Sequence, residues 1–469
     1  MDEKRIQILR DKPPLSAILS LSVPTILAMW VQVFYNLTDT FFVGKLNDPY
    51  KVAAVSVAYP IFMILMSVSG VFGFGAASFI SRSLGRQDFL TAKKTSATAF
   101  YSCAILALIF TTISLTLIFP ILRLIGVTPE TRKYAYDYLS VIFGGSIIVM
   151  LNFMLTQMLR SEGAAKVAMM GMFIGTGLNI ILDPIFIMVL GYGVKGAAIA
   201  TIIGQGTGLL YYFSFYLQRR SLVSIHWKHF SPQSEIFLNI FKIGIPASIH
   251  SLMISTSQTL ANYMAASYSD MIVASYGIVQ RTFSMCIMTL VGLSDGTQPL
   301  IGYSYGARNI KRLNKVFKTA VIMATGISLF FVIFFSLFAG HLIRIFINNE
   351  QVIEHGIRIM RAFLIALPFA GIQFLIRVSF QALGKGKPAL ILALTRQGLF
   401  YIPSLFFLNK HFGLSGFIYA QPFANVLTFI LAVLLFNRIR GQISEEQTEV
   451  ESEIVTAAAK LDDSLQKCN

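Results

Sequence analysis

Apolar runs of about 20 residues or more recur along nearly the whole chain, separated by short polar loops, and each is long enough to cross a bilayer as a helix. The pattern predicts twelve spans, at about 16–42, 52–81, 94–118, 135–159, 167–190, 194–217, 237–266, 271–302, 316–338, 357–382, 388–409 and 413–437. Alternating segments of ~10 residues, the mark of an outer-membrane barrel, are absent. Past residue 440 the chain turns polar and acidic (EEQTEVESEIVTAAAK) and reads as a tail. The expected fold is an all-α integral membrane protein.

The two halves of the pattern repeat. LSVPTILAMW at 21–30 matches IGIPASIHSL at 243–252. GFGAASFISRSLGRQD at 73–88 matches SDGTQPLIGYSYGARN at 294–309, SEGAAKVA at 161–168 matches ALGKGKPA at 382–389, and GVKGAAIA at 193–200 matches GLSGFIYA at 413–420. The offset stays near 220 residues. Two six-helix lobes of the same orientation follow, related by an axis along the membrane normal, with a substrate site between them. The expected division is 1–217 for the first lobe, 218–236 for a cytoplasmic linker holding Arg219, Arg220, His226 and His229, 237–437 for the second lobe, and 438–469 for a polar cytoplasmic tail.

Composition agrees. The 469 residues are 55% hydrophobic and 13% charged, about half the charged share of a soluble chain. The net charge of +16 is no sign of nucleic acid, because its basic residues sit in short loops. One side carries about 25 Lys and Arg and the other about 10, which places both termini in the cytoplasm and the protein in the cell membrane. Cys103, Cys286 and Cys468 show neither metal-ligand spacing nor a disulfide framework. The first apolar run lacks a cleavage signature and reads as a retained helix. No Walker A, HExxH or paired Asp-rich motif is present, so a membrane enzyme has no recognisable catalytic set.

Against this background one carboxylate stands out. The first span holds Asp39, about 9 Å below its outer end at 1.5 Å per residue. An ionisable group at that depth costs at least a few kcal/mol without a partner or a task. Gln32, Tyr35, Asn36 and Asp39 fall at i, i+3, i+4 and i+7, on one helical face. The fifth span holds Asn179 and Asp183, one turn apart, with Pro184 freeing the carbonyl of Ile180. Thr201 of the sixth span comes to a similar depth. Two carboxylates, an amide oxygen and a hydroxyl suit a hard cation such as Na⁺, or a shared proton. The plainer reading, that such an Asp only ties helices together, loses ground because the second-half counterparts are Ala261, Phe400, Pro403 or Ser404, and Gln421. The second half has Asp295 in GLSDGTQP, with Arg281, Arg377 and Arg396 also inside spans. Asp295 is read either as the partner of one of these arginines or as a contact for a cationic substrate. His250 on the seventh span is read as an interior histidine.

VFYNLTDTFFVGKL, GFGAASFISRSLG, LRSEGAAK, GLNIILDP, KIGIPA and ASYGIVQR together carry a resemblance over about residues 15–437. The sequence resembles the multidrug and toxic compound extrusion (MATE) family, in its MepA-like bacterial branch. The resemblance implies a monomeric secondary transporter that exports cationic amphipathic drugs by alternating access, exchanging them for H⁺ or Na⁺ and using no cofactor. It implies a cation site at Asp39, Asn179, Asp183 and Thr201, and substrate contacts at Gln32, Tyr35 and Asn36. An acidic residue that some relatives carry midway along the seventh span is missing here, where Ile254, Ser257 and Gln258 stand. The alternative within the superfamily is a flippase of lipid-linked precursors, whose anionic substrate would want the arginines of the second lobe.

Overall fold

The computed structural model describes residues 2–46 and 48–468; the side chains of residues 2, 40, 59 and 443–468, and with them most of the expected tail, lie outside the described residues. The chain is helical: α1 (Asp2–Arg10), α2 (Pro14–Gly44), α3 (Pro49–Gly85), α4 (Phe89–Thr116), α5 (Ile118–Leu124), α6 (Arg132–Gly144), α7 (Ser146–Ser161), α8 (Ala165–Pro184), α9 (Gly193–Leu217), α10 (Ser234–Ala266), α11 (Asp270–Gly306), α12 (Ile310–Arg344), α13 (Glu350–Ala382), α14 (Gly386–Leu394) and α15 (Ile402–Cys468). Wide π-helical turns follow α8, at Ile185–Val189, and join α14 to α15, at Thr395–Tyr401.

Among the described residues, nine helices are long and apolar enough to cross a membrane, or ten with the bent pair α6–α7. The expected twelve are recovered from two more features. One is α9, whose 25 residues are diluted by glycine and polar side chains. The other is the stretch 386–442, which kinks at Gly413 (φ 56) into two arms. The fourth span differs from its expected form: it bends by 55° between α6 and α7. Gly144-Gly145-Ser146 lies at the bend, the kind of small-residue sequence where helices kink. Large apolar side chains on α4 and α12, among them Leu108, Ile109, Phe330 and Leu337, are exposed, as lipid-facing residues are.

The internal repeat is written in the backbone. Gly163 (φ 81) and Gly384 (φ 71), Gly193 (φ 55) and Gly413 (φ 56), and Gln87 (φ 60) and Arg308 (φ 54) form matched left-handed pairs. Helix caps match too: Asp88 accepts from the Thr91 amide and Asn309 from the Arg312 amide, both at 2.9 Å.

The lobes meet through α2 and α3 on one side and α10 and α11 on the other. Their closest approach is at the end that bears α1. A methyl group on Gly85 would run into the Tyr303 carbonyl, and one on Gly244 into that of Val71. Ser22 donates to the Leu293 carbonyl at 3.1 Å, and Arg82 to Asn239 at 3.3 Å. A short helix that the span pattern did not predict, α1, straps this end. Arg5 pairs with Glu162 at 3.2 Å and donates to the Arg220 carbonyl, while Arg312 of α12 donates to the carbonyls of Leu9 (3.0 Å) and Ile8 (3.3 Å).

Candidate functional site

A cavity of about 360 Å³ opens into the first lobe and one of about 460 Å³ into the second. Met29, Phe153, Gln157, Ser251 and Met288 line both, so they are two ends of one central space. Its walls come from both lobes, because α2 and α11 cross where the lobes pack.

Gln32, Tyr35 and Asn36 of α2 line the first end, as do Asn179 of α8 and Thr201 of α9. Tyr35 Oη and Thr201 Oγ1 share a hydrogen bond of 3.2 Å. Asn179 Nδ2 donates to Asp183 Oδ1 at 3.2 Å. Asp183 is fully buried, and Asp39 lies close enough to interact with it electrostatically. One oxygen each of Asp39, Asn179 and Asp183 is buried with no hydrogen-bond partner among the described residues. Three oxygens turned toward unmet bonding capacity are what a proton or a hard cation would satisfy. Pro184 shapes the local backbone as its missing N–H requires: the wide turn Ile185–Val189 follows directly, with Leu190 N bonded to Ile185 O at 2.8 Å.

The second end is built differently. Asp295 lines it, 3.9 Å from Arg377 and 4.0 Å from Arg160. Arg377 is one of the three arginines that the sequence offers as partners. Arg396 lines the same cavity, with its guanidinium 5.0 Å from the Phe374 ring, whereas Arg281 is exposed and takes no part. Ser257 donates to Gln397 at 3.1 Å, so this polar position of α10 serves a contact between helices.

Two residues near the site carry no signal in the sequence. Tyr138 of α6 shares the electrostatic surroundings of Asp39 and Asp183; the bend at Gly144–Gly145 separates α6 from α7, and no polar stripe marks it. Arg160 falls one residue past the end of the expected fourth span and reads as a loop residue. It is instead buried and reaches Asp295 across the lobe boundary.

Two lobes of repeated helices around a central cavity with polar groups at both ends define a membrane transporter architecture. The MatE family model matches residues 24–185 and again 246–407, once in each half. The chain is 33% identical to the multidrug export protein MepA of Staphylococcus aureus (strain MSSA476) over 452 residues, 96% of this chain and 99% of that protein. To MepA of Staphylococcus haemolyticus (strain JCSC1435) it is 30% identical over 453 residues, with the same coverage. A solved outward-facing multidrug resistance MATE family transporter of the MOP superfamily superposes with a TM-score of 0.90 at 29% identity, covering 94% of this chain and 99% of that one. A MOP superfamily transporter from Pyrococcus furiosus, described as having a binding pocket of reverse polarity, gives 0.87 at 31% identity, covering 94% and 98%. The chain belongs to the MATE family.

Proposed function

We propose that this protein is a monomeric secondary transporter that exports cationic, amphipathic drugs and toxic organic compounds across the cytoplasmic membrane. H⁺ or Na⁺ enters in exchange, and no cofactor is used. The observation that carries the reading is the pair Asp39 and Asp183, each with one oxygen that has no hydrogen-bond partner among the described residues, beside a cavity wall that includes Tyr35, Asn179 and Thr201. Support also comes from relatives named as multidrug export proteins that match over 96% of the chain. The flippase reading has no such support.

In this reading both termini are cytoplasmic, and the lobes are 1–217 and 237–437, joined by the linker 218–236 and followed by the tail 438–469. The strapped end that bears α1 is then the closed cytoplasmic side, and the cavity faces outward. A coupling cation enters from outside and neutralises Asp39 and Asp183. Their hold on a cationic substrate beside Gln32, Tyr35 and Asn36 weakens, and the substrate leaves. The lobes then rock inward, the cation escapes, and the ionised site favours a new substrate. Each charge moved down the membrane potential supplies about 2.3 kcal/mol per 100 mV. The test is efflux of a fluorescent organic cation from proteoliposomes under an imposed pH gradient and, separately, an imposed Na⁺ gradient. Transport under one gradient identifies the ion; transport under neither removes the antiport reading.

A further inference from the structure

The second end of the cavity carries more positive than negative charge. Arg160, Arg377 and Arg396 face it or its seam with the first end, and Asp295 is the one carboxylate among the described lining residues. Asp295 does not quench them. Its contacts of 3.9 and 4.0 Å are ion pairs without a hydrogen bond, and its side chain is 13% exposed. Arg160 Nη1, Arg377 Nε, Arg396 Nε and His250 Nδ1 are buried with no hydrogen-bond partner among the described residues. Arg160 and His250 are only 5% and 6% exposed. Arg377 and Arg396 lie close enough to repel each other, and both act on His250. Buried guanidiniums that outnumber their carboxylate, with donors unspent, are costly unless an anion joins them.

We propose that this end is an oxyanion subsite, which takes the carboxylate, sulfonate or phosphate group of an amphipathic ligand. Arg377 and Arg396 supply charge and planar donors suited to such groups. Arg160 approaches from the first lobe, so the subsite is complete only when the lobes are packed as here. Phe283, Phe363 and Phe374 line the same cavity and receive the apolar body. Asp295 sets the strength of the subsite by offsetting part of the positive charge. The wide turn Thr395–Tyr401 presents Arg396 and Gln397 to the cavity, as the turn after Pro184 adjoins the first-lobe carboxylates. The subsite is a claim about binding and stands whether or not the antiport reading holds.

The test is fluorescence titration of the full chain in phosphatidylcholine nanodiscs with dansylglycine, an amphipathic carboxylate, and with dansylcadaverine, its cationic counterpart. Saturable dansylglycine binding is expected. It should weaken about tenfold or more in the Arg377→Gln/Arg396→Gln double variant, with dansylcadaverine binding not weakened. Asp295→Asn should tighten dansylglycine about threefold or more, and this arm decides the matter if the double variant does not fold. Addition of phosphatidylglycerol to the nanodiscs separates the sources of the oxyanion. Displacement of the probe identifies a lipid phosphate as occupant, and no displacement identifies a free amphipathic anion; both uphold the subsite. No saturable binding to the unaltered protein, or affinity unchanged by all three substitutions, overturns it.

Discussion

The two lobes share a scaffold and differ in charge. Cap for cap and turn for turn they agree: Asp88 with Asn309, Gly163 with Gly384, Gly193 with Gly413. Where the first lobe sets Asp39 and Asp183 behind a wall of hydroxyl and amide groups, the second has Ala261 and Pro403 or Ser404, and its end of the cavity holds Arg377 and Arg396 beside Asp295. The fold therefore does not require the first-lobe carboxylates, since the same helices form without them. In the proposed reading such groups deep in apolar helices serve cation coupling, and the contrast would confine that task to one lobe.

The largest expected effect breaks the symmetry outright. Asp39→Asn should lower gradient-driven efflux in proteoliposomes by about 100-fold or more, with membrane insertion intact, while Ser404→Ala, at one of the two positions that answer to Asp183, should stay within about twofold. Comparable losses in both would mean that the lobes contribute alike.

Next comes the seam where the lobes meet. Gly85→Ala places a methyl group against the Tyr303 carbonyl, and Gly306→Ala, its repeat partner, places one against the Arg82 carbonyl. Each should destabilise the closed end by about 1–3 kcal/mol, read as a lower melting temperature in detergent. The two effects should be alike, because here the repeat is structural.

A third effect belongs to one lobe. Glu162, in the turn between α7 and α8, accepts from Ser221 Oγ (2.8 Å) and the amides of Leu222 (2.6 Å) and Val223 (3.4 Å), beside Arg5 and the Tyr216 ring. Its counterpart is the buried Leu383. Burial pushes the Glu162 carboxyl up to about 7, against the pull of Arg5 and these hydrogen bonds. A raised carboxyl binds its proton more tightly in the folded state. Its contribution to stability is therefore full below its usual 4.5 and falls as the pH rises to about 7. Glu162→Gln should flatten the dependence of melting temperature on pH across that window; an unchanged slope would place the titration elsewhere.

The smallest effect is again shared. Asp88→Ala and Asn309→Ala each remove a helix cap and should each cost about 1 kcal/mol in thermal unfolding. A large difference between them would show that the lobes are not equally stable where they look alike.

The spans and the repeat were legible because helix length and small residues at turns are local properties. Gly163 and Gly384 could be paired by sequence alone, and both take the left-handed backbone expected at such turns. Gln32, Tyr35 and Asn36, which line the cavity together, could be grouped from the sequence because their spacing sets them on one face of one helix. Charge partners between distant segments were not. Arg160 reaches Asp295 through the packing of two lobes, 135 positions apart in the chain, and no periodicity encodes that. For the same reason no sequence pattern marks α1: its anchors, Glu162, Arg220 and Arg312, come from three other segments.

The central claim is that the first-lobe carboxylates couple cation entry to substrate release. The most direct measurement is the equilibrium affinity for a fluorescent organic cation, with and without saturating coupling ion, for the unaltered protein and for Asp39→Asn. Linkage requires that an ion which displaces substrate weaken its binding. The account predicts about tenfold or more weakening in the unaltered protein and none in Asp39→Asn. Equal weakening in both would contradict it and leave Asp39 as a tether between helices.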